Sequence, residues 1–148
     1  MAGNRRTGGY LVLNPTQAKL RLPQLSLELR DRKLAMVLVM REGKFVAALI
    51  PPPESDDERV VEVFVRRYVR NLDVEPLSLS VHTPLTEARN KFPHLIKTLE
   101  QGRYGVVFIY RRYTKWNREV RAAMVPATSV REGLIQDRPK GLMEELLH

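Results

Sequence analysis

At 148 residues, 43% of them hydrophobic, the chain has material for one ordinary domain or two small halves around a shared core. It contains no cysteine, which excludes disulfides, thiolate zinc sites and a cysteine nucleophile. A net charge of +8 points to an acidic partner, of which nucleic acid is the commonest.

The charge alternates along the chain. Residues 1–53 hold nine Lys/Arg against three Asp/Glu, and residues 79–128 hold the same numbers. Residues 54–78 hold four against seven, and residues 129–148 three against four. No run of about 18 apolar residues offers a membrane span. The basic start "MAGNRRTGG" is not followed by the apolar stretch of a signal peptide, so a cytoplasmic location is expected.

In chain order, "YLVL" at 10–13 reads as a short strand. "NPT" then makes a turn in which Thr16 can cap a helix running to Leu22. Pro23 suits the first position of a second helix, with Leu25 and Leu29 on one face. "LAMVLVM", "REGK" and "FVAALIP" read as a strand, a tight Glu42-Gly43 turn and a strand ending at Pro51. The Pro-rich "PPPESDDE" precedes a stripe of Val60, Val61, Phe64, Val65, Tyr68, Val69 and Leu72, expected as a helix over 56–72. Such a stripe either packs into its own core or receives a partner.

The order then repeats. Leu77, Leu79 and Val81 alternate with polar residues as a strand, and Thr86 stands where Thr16 stood. "LTEARNKFPHLIKTLEQG" matches "PTQAKLRLPQLSLELRDR" at a spacing of 70, pairing Ala18 with Ala88, Pro23 with Pro93, Leu25 with Leu95 and Leu29 with Leu99. Gly102 reads as a C-cap where the first copy has Arg32-Lys33. "YGVVFIYRR", "YTKWN" and "REVRAAMVP" form a second hairpin. Its final Pro126 lies 75 residues after Pro51, so its tip is five residues longer. Four regions result: a first unit with a basic arm over 1–53, an acidic linker helix over 54–76, a second unit with an extended basic hairpin over 77–128, and a helical tail over 129–148.

The second copy resembles the Phd/YefM family of antitoxin-type DNA-binding proteins. Thr86-Glu87-Ala88-Arg89 is similar to that family's "SEAR" element, Gly102 to the glycine before its hairpin, and Met124-Val125-Pro126 to the hairpin's close. The match covers about 45 residues; the first copy is looser, with Lys19 where the family has arginine. The resemblance implies an α+β fold of two tandem β-α-α-β-β-α units forming an intrachain pseudo-dimer around a shared antiparallel sheet. It also implies duplex DNA binding near the first helix, through Arg89 and more weakly Lys19, and a toxin as possible partner. The chain departs from the family in lacking one long acidic tail.

Candidate DNA contacts are then Arg89, Lys91, Lys19 and Arg21 on the helices, paired so as to straddle a duplex or simply solvated. At the second hairpin tip, Arg111, Arg112, Lys115 and Arg118 interleave with Tyr113 and Trp116, a mixture suited to phosphates and bases. Trp116 has the alternative of packing on protein. Arg5 and Arg6 add a basic arm. Leu142, Met143, Leu146 and Leu147 are the candidate docking segment for a toxin or second chain. The histidines His82, His94 and His148 are dispersed, and no metal or nucleophile motif occurs, so no cofactor and no enzymatic activity are expected. The leading reading is a DNA-binding transcriptional regulator. The alternatives are a protein-interaction module that kept the fold without specific DNA binding, or a non-specific architectural DNA binder. Both a monomer with an internal twofold and a homodimer fit the sequence.

Overall fold

The structure is a computed structural model and describes residues 9–68 and 76–131. Its elements are β1 (Gly9–Leu13), α1 (Pro15–Arg30), β2 (Leu34–Arg41), β3 (Lys44–Ile50), α2 (Glu58–Arg66), a 3₁₀ turn at Pro76–Leu79, β4 (Ser80–Pro84), α3 (Leu85–Asn90), α4 (Phe92–Glu100), β5 (Val106–Arg112), β6 (Arg118–Pro126) and α5 (Ala127–Arg131).

All six strands join one mixed sheet in the order β1-β2-β3-β6-β5-β4. The outer pairs, β1 with β2 and β4 with β5, are parallel, and the three inner pairings are antiparallel. The sheet is therefore not antiparallel throughout, as the family resemblance implied. α1 between β1 and β2, and α3–α4 between β4 and β5, carry the chain back along the sheet, so the second strand of each pair runs parallel to the first.

The fold is α+β, with helices on both faces of the sheet. Alternation along the strands divides the apolar residues into two cores. Val37, Val39, Leu49, Val107, Ile109 and Met124 face α1, α3 and α4, which bury Leu22, Leu25, Leu29, Phe92, Ile96 and Leu99 against them. Met36, Leu38, Ile50, Phe108 and Val125 face the other way, toward α2 and α5. At the centre, Ala48 pairs with Val125, Leu49 with Met124 and Ile50 with Ala123.

Several local features differ from the sequence reading. α1 is capped by Asn14, whose side chain accepts from the Gln17 amide while Gln17 Oε1 accepts from the Asn14 amide, so Thr16 lies inside the helix. α3 starts after Pro84 without a side-chain cap, and Thr86 is likewise internal. Pro23 does not open a second helix, because α1 runs through it without a break. Burial of Leu22, Leu25 and Leu29 offsets the hydrogen bond that proline cannot make to the Lys19 carbonyl. The second helical segment does divide, at Lys91 (φ −109°, ψ 23°), and Pro93 sits in the first turn of α4. Leu20 is a good helix former and Asn90 a poor one, which accounts for the difference.

Leu77 and Leu79 belong to the 3₁₀ turn rather than to a strand, and β4 begins at Ser80. The linker helix covers Glu58–Arg66, shorter than 56–72, and Asp57 caps it by accepting from the Arg59 amide. Its buried residues Phe64 and Val65, with Tyr68 beyond it, pack on the sheet, where the Phe64 ring lies 5.1 Å from Tyr68 and 5.7 Å from Phe108. Val69 and Leu72 lie outside the described residues.

Both long helical segments end in a Schellman cap. At Gly102 (φ +74°) the amide donates to the Leu99 carbonyl and the Arg103 amide to that of Thr98. At Arg32 (φ +58°) the same pattern returns to Leu29 and Glu28. Glu42 (φ +51°) and Gly43 (φ +80°) form the tight turn expected of the first hairpin.

Candidate nucleic-acid interface

The helices on one face of the sheet carry four of the basic candidates, Lys19, Arg21, Arg89 and Lys91. Residues 16–33 and 85–103, which span α1, α3, α4 and their caps, hold nine Lys/Arg against four Asp/Glu. α1 packs directly against α3, which brings Lys19 and Arg21 on one helix and Arg89 and Lys91 at the end of the other to the same face. Arg21 and Arg89 are exposed and Lys19 is half-buried. Lys91 is also exposed but donates to Glu87 one turn earlier at 3.2 Å. The Arg89 side chain makes no hydrogen bond or ion pair among the described residues.

The second hairpin forms a separate basic site. Its tip, residues 111–118, holds four cations and no carboxylate, and all eight residues are exposed. Rings and cations are stacked along it. The Arg118 and Arg112 guanidiniums lie 5.0 and 5.8 Å from the Tyr110 ring centre, and Arg111 lies 6.0 Å from that of Tyr113. Lys115 lies 5.3 Å from the Trp116 ring. Trp116 is 84% exposed, so packing on protein, the alternative for this residue, does not occur among the described residues.

The base of this hairpin is fastened to α1 by Arg30, Glu119 and Arg121, which the sequence did not single out, together with Tyr113 of the tip. Arg30 donates to Glu119 at 2.8 Å and to Asp31 at 2.9 Å. The Tyr113 hydroxyl donates to Glu119 at 3.1 Å and accepts from Arg121 at 2.7 Å. Arg121 also donates to Glu119 at 3.2 Å and is only 6% exposed, a buried cation held by a carboxylate and a phenol. Partial burial alone pushes the Glu119 carboxyl up, but the hydrogen bonds from Arg30, Arg121 and Tyr113 outweigh it and hold the group below its ordinary range. Arg30 is raised still further above its already high value by Asp31 and Glu119.

Arg30 stands at the opposite end of α1 from Lys19, about 16 Å along the axis at 1.5 Å per residue. The point at which α1 meets the hairpin base, Arg30 on Glu119, is thus distant from Lys19 along the same helix. Arg5, Arg6, Leu142, Met143, Leu146 and Leu147 lie outside the described residues.

The other face of the sheet is different in character. A cavity of about 350 Å³ there is lined by Asp56, Glu58, His82, Phe108, Arg118 and Val120, among others. The His82 ring lies 4.9 Å from that of Phe108. Burial, seconded by Arg118 and opposed by Asp56, holds the His82 imidazole below its ordinary value. Among the described residues no group of three or more His, Cys, Asp or Glu could hold a metal ion. No helix among them is long and apolar enough to cross a membrane. Comparison with protein-family models, with curated proteins and with solved structures found no match.

Proposed function

We propose that the chain is a duplex-DNA-binding regulator built from two equivalent units that pair within one sheet, each unit resembling the Phd/YefM fold. The central register supports the pairing. Leu49 and Met124 are counterparts at the 75-residue spacing of the two hairpins, and they oppose each other. On either side of them Ala48 meets Val125 while its counterpart Ala123 meets Ile50, the reciprocal pattern of a twofold axis. Fusion makes such pairing independent of concentration.

The observation that carries the DNA reading is the hairpin tip of residues 111–118, where four cations and an exposed Trp116 stand within eight exposed residues that include no carboxylate. Arg89, Lys91, Lys19 and Arg21 would add phosphate contacts from the helical face. The chemistry required is binding alone, so no catalytic residue and no cofactor enter this reading.

Titration of a labelled duplex across a salt series, with genomic fragments as competitors, tests it. Binding with a steep salt slope that survives competition for one fragment supports a sequence-specific regulator. A steep slope without any preferred fragment supports an architectural binder. Affinity weaker than about 10⁻⁴ M at physiological salt, below ordinary non-specific binding, removes DNA as the partner.

A further inference from the structure

The two long helical segments carry opposite charges at their last residues. α1 ends on Arg30 and α4 on Glu100, each followed by the same Schellman cap. Each end reaches the hairpin of the other unit. Arg30 donates to Glu119 on β6 at 2.8 Å, while Arg41 on β2 donates to both carboxylate oxygens of Glu100, at 3.2 and 3.1 Å.

The hairpins match the helix ends. The β2–β3 ladder shifts register between Val39 and Met40, and the β5–β6 ladder between Ile109 and Tyr110, which makes Arg41 the counterpart of Arg111. Across these ladders Arg41 faces Lys44, and Arg111 faces Glu119. One hairpin thus offers two cations and the other a cation with a carboxylate. The anionic helix end lies against the first and the cationic helix end against the second.

On the reading that the two units are equivalent, we propose that these charge-reversed ion pairs select the partner of each unit, so that a first unit pairs with a second unit and not with the first unit of another copy of the chain. Pairing first with first would place Arg30 against Arg41 and Lys44, three cations together. Pairing second with second would move Glu100 from two cations, Arg41 and Lys44, to a single one, Arg111, that already faces Glu119. Single exposed ion pairs contribute little. Selection, however, depends on a difference between pairings, and here two attractive contacts on one side are set against one repulsive and one weakened contact on the other. Charged flanking positions choose coiled-coil partners in the same way.

The test exchanges the helix ends in the full-length chain. The variant Arg30→Glu with Glu100→Arg keeps composition and net charge, and the affected side chains are about a third to a half exposed, so the core is untouched. It removes both ion pairs from first-with-second pairing and sets a carboxylate at position 30 against Arg41 and Lys44 in first-with-first pairing, which needs two chains. Light scattering over concentrations up to about 1 mM, comparable to the effective concentration of a fused partner, should show the dimer fraction rising about tenfold or more over that of the parent. Adding Arg41→Glu and Glu119→Arg exchanges the hairpins as well and should restore the parent's mass. An exchanged variant with the parent's mass and the parent's urea midpoint overturns the selection proposal and leaves the pairing of units standing. The parent's mass with a lowered midpoint, recovered by the fourfold exchange, also overturns it, and shows in addition that the units cannot substitute for one another. Duplex binding by the parent chain is measured independently of either result.

Discussion

Leu49 and Met124 lie opposite each other where β3 meets β6, and neither side chain is exposed. They also belong to the apolar cluster covered by α1 and α4, so this one pair joins the strand contact to the helix layer. Truncating either to alanine leaves a cavity at the middle of the sheet. Leu49→Ala and Met124→Ala are each expected to cost about 2–5 kcal/mol in urea unfolding. Leu20→Ala, at a position 62% exposed and with helix propensity kept, should stay within about 0.5 kcal/mol of the parent.

The two Schellman caps give a second, smaller effect. Gly102 adopts a positive φ with open space around the position of a Cβ, so Gly102→Ala suffers backbone strain alone, about 1 kcal/mol. Arg32→Gly relieves comparable strain but loses a 3.0 Å hydrogen bond from the guanidinium to the Pro52 carbonyl. The two contributions nearly cancel, and thermal melts of Arg32→Gly should lie close to those of the parent.

Stability should fall in two stages on acidification. The folded state disfavours charging His82, so the unfolded chain binds the extra proton first, and stability is lost as pH drops below about 6.5 until the folded imidazole also titrates. Glu119 acts in the same direction at lower pH. Its depressed folded pKa stabilises the native state above the ordinary value of 4.5, and that contribution disappears as pH falls through the folded pKa. Unfolding followed between pH 7 and 3 should show His82→Val flattening the upper stage and Glu119→Gln the lower one.

For duplex binding, Arg89→Ala should cost about 1–3 kcal/mol if the arginine reaches a base edge. Arg112→Ala and Lys115→Ala should each reduce the salt slope by about 1, the value for one lost phosphate contact. Unchanged slopes for both would remove the hairpin tip from the interface. Fluorescence of Trp116, the sole tryptophan, should respond to duplex in the same titration.

Features fixed by neighbouring residues were legible in the sequence. The Glu42-Gly43 turn, the Gly102 cap and the inward face of the linker helix at Phe64 and Val65 follow from local chemistry, and all are present. Where two local rules compete, the sequence misleads. Thr16 is a good cap, but Asn14 makes a reciprocal capping box with Gln17 and starts the helix earlier. Pro23 breaks helices, but Leu22 and Leu25 are buried on either side of it. Strand direction was not legible either, since alternation of apolar residues is the same for parallel and antiparallel neighbours. In the site, the exposed basic tip could be read directly. The Arg30–Glu119–Arg121 network could not, because Arg30 and Glu119 are 89 residues apart and nothing local to either reveals the other.

The five extra residues of the second hairpin have a consequence for orientation. A protein whose two halves were identical would meet a duplex equally well in either direction, and its site would be a palindrome. On the proposed reading of two paired units, a cationic handle beside only one of them gives the molecule a front and a back. A duplex held by both the helices and the tip would be read with a fixed polarity, so the sequence that fits it best should be asymmetric, and inverting that sequence beside a promoter should change the outcome.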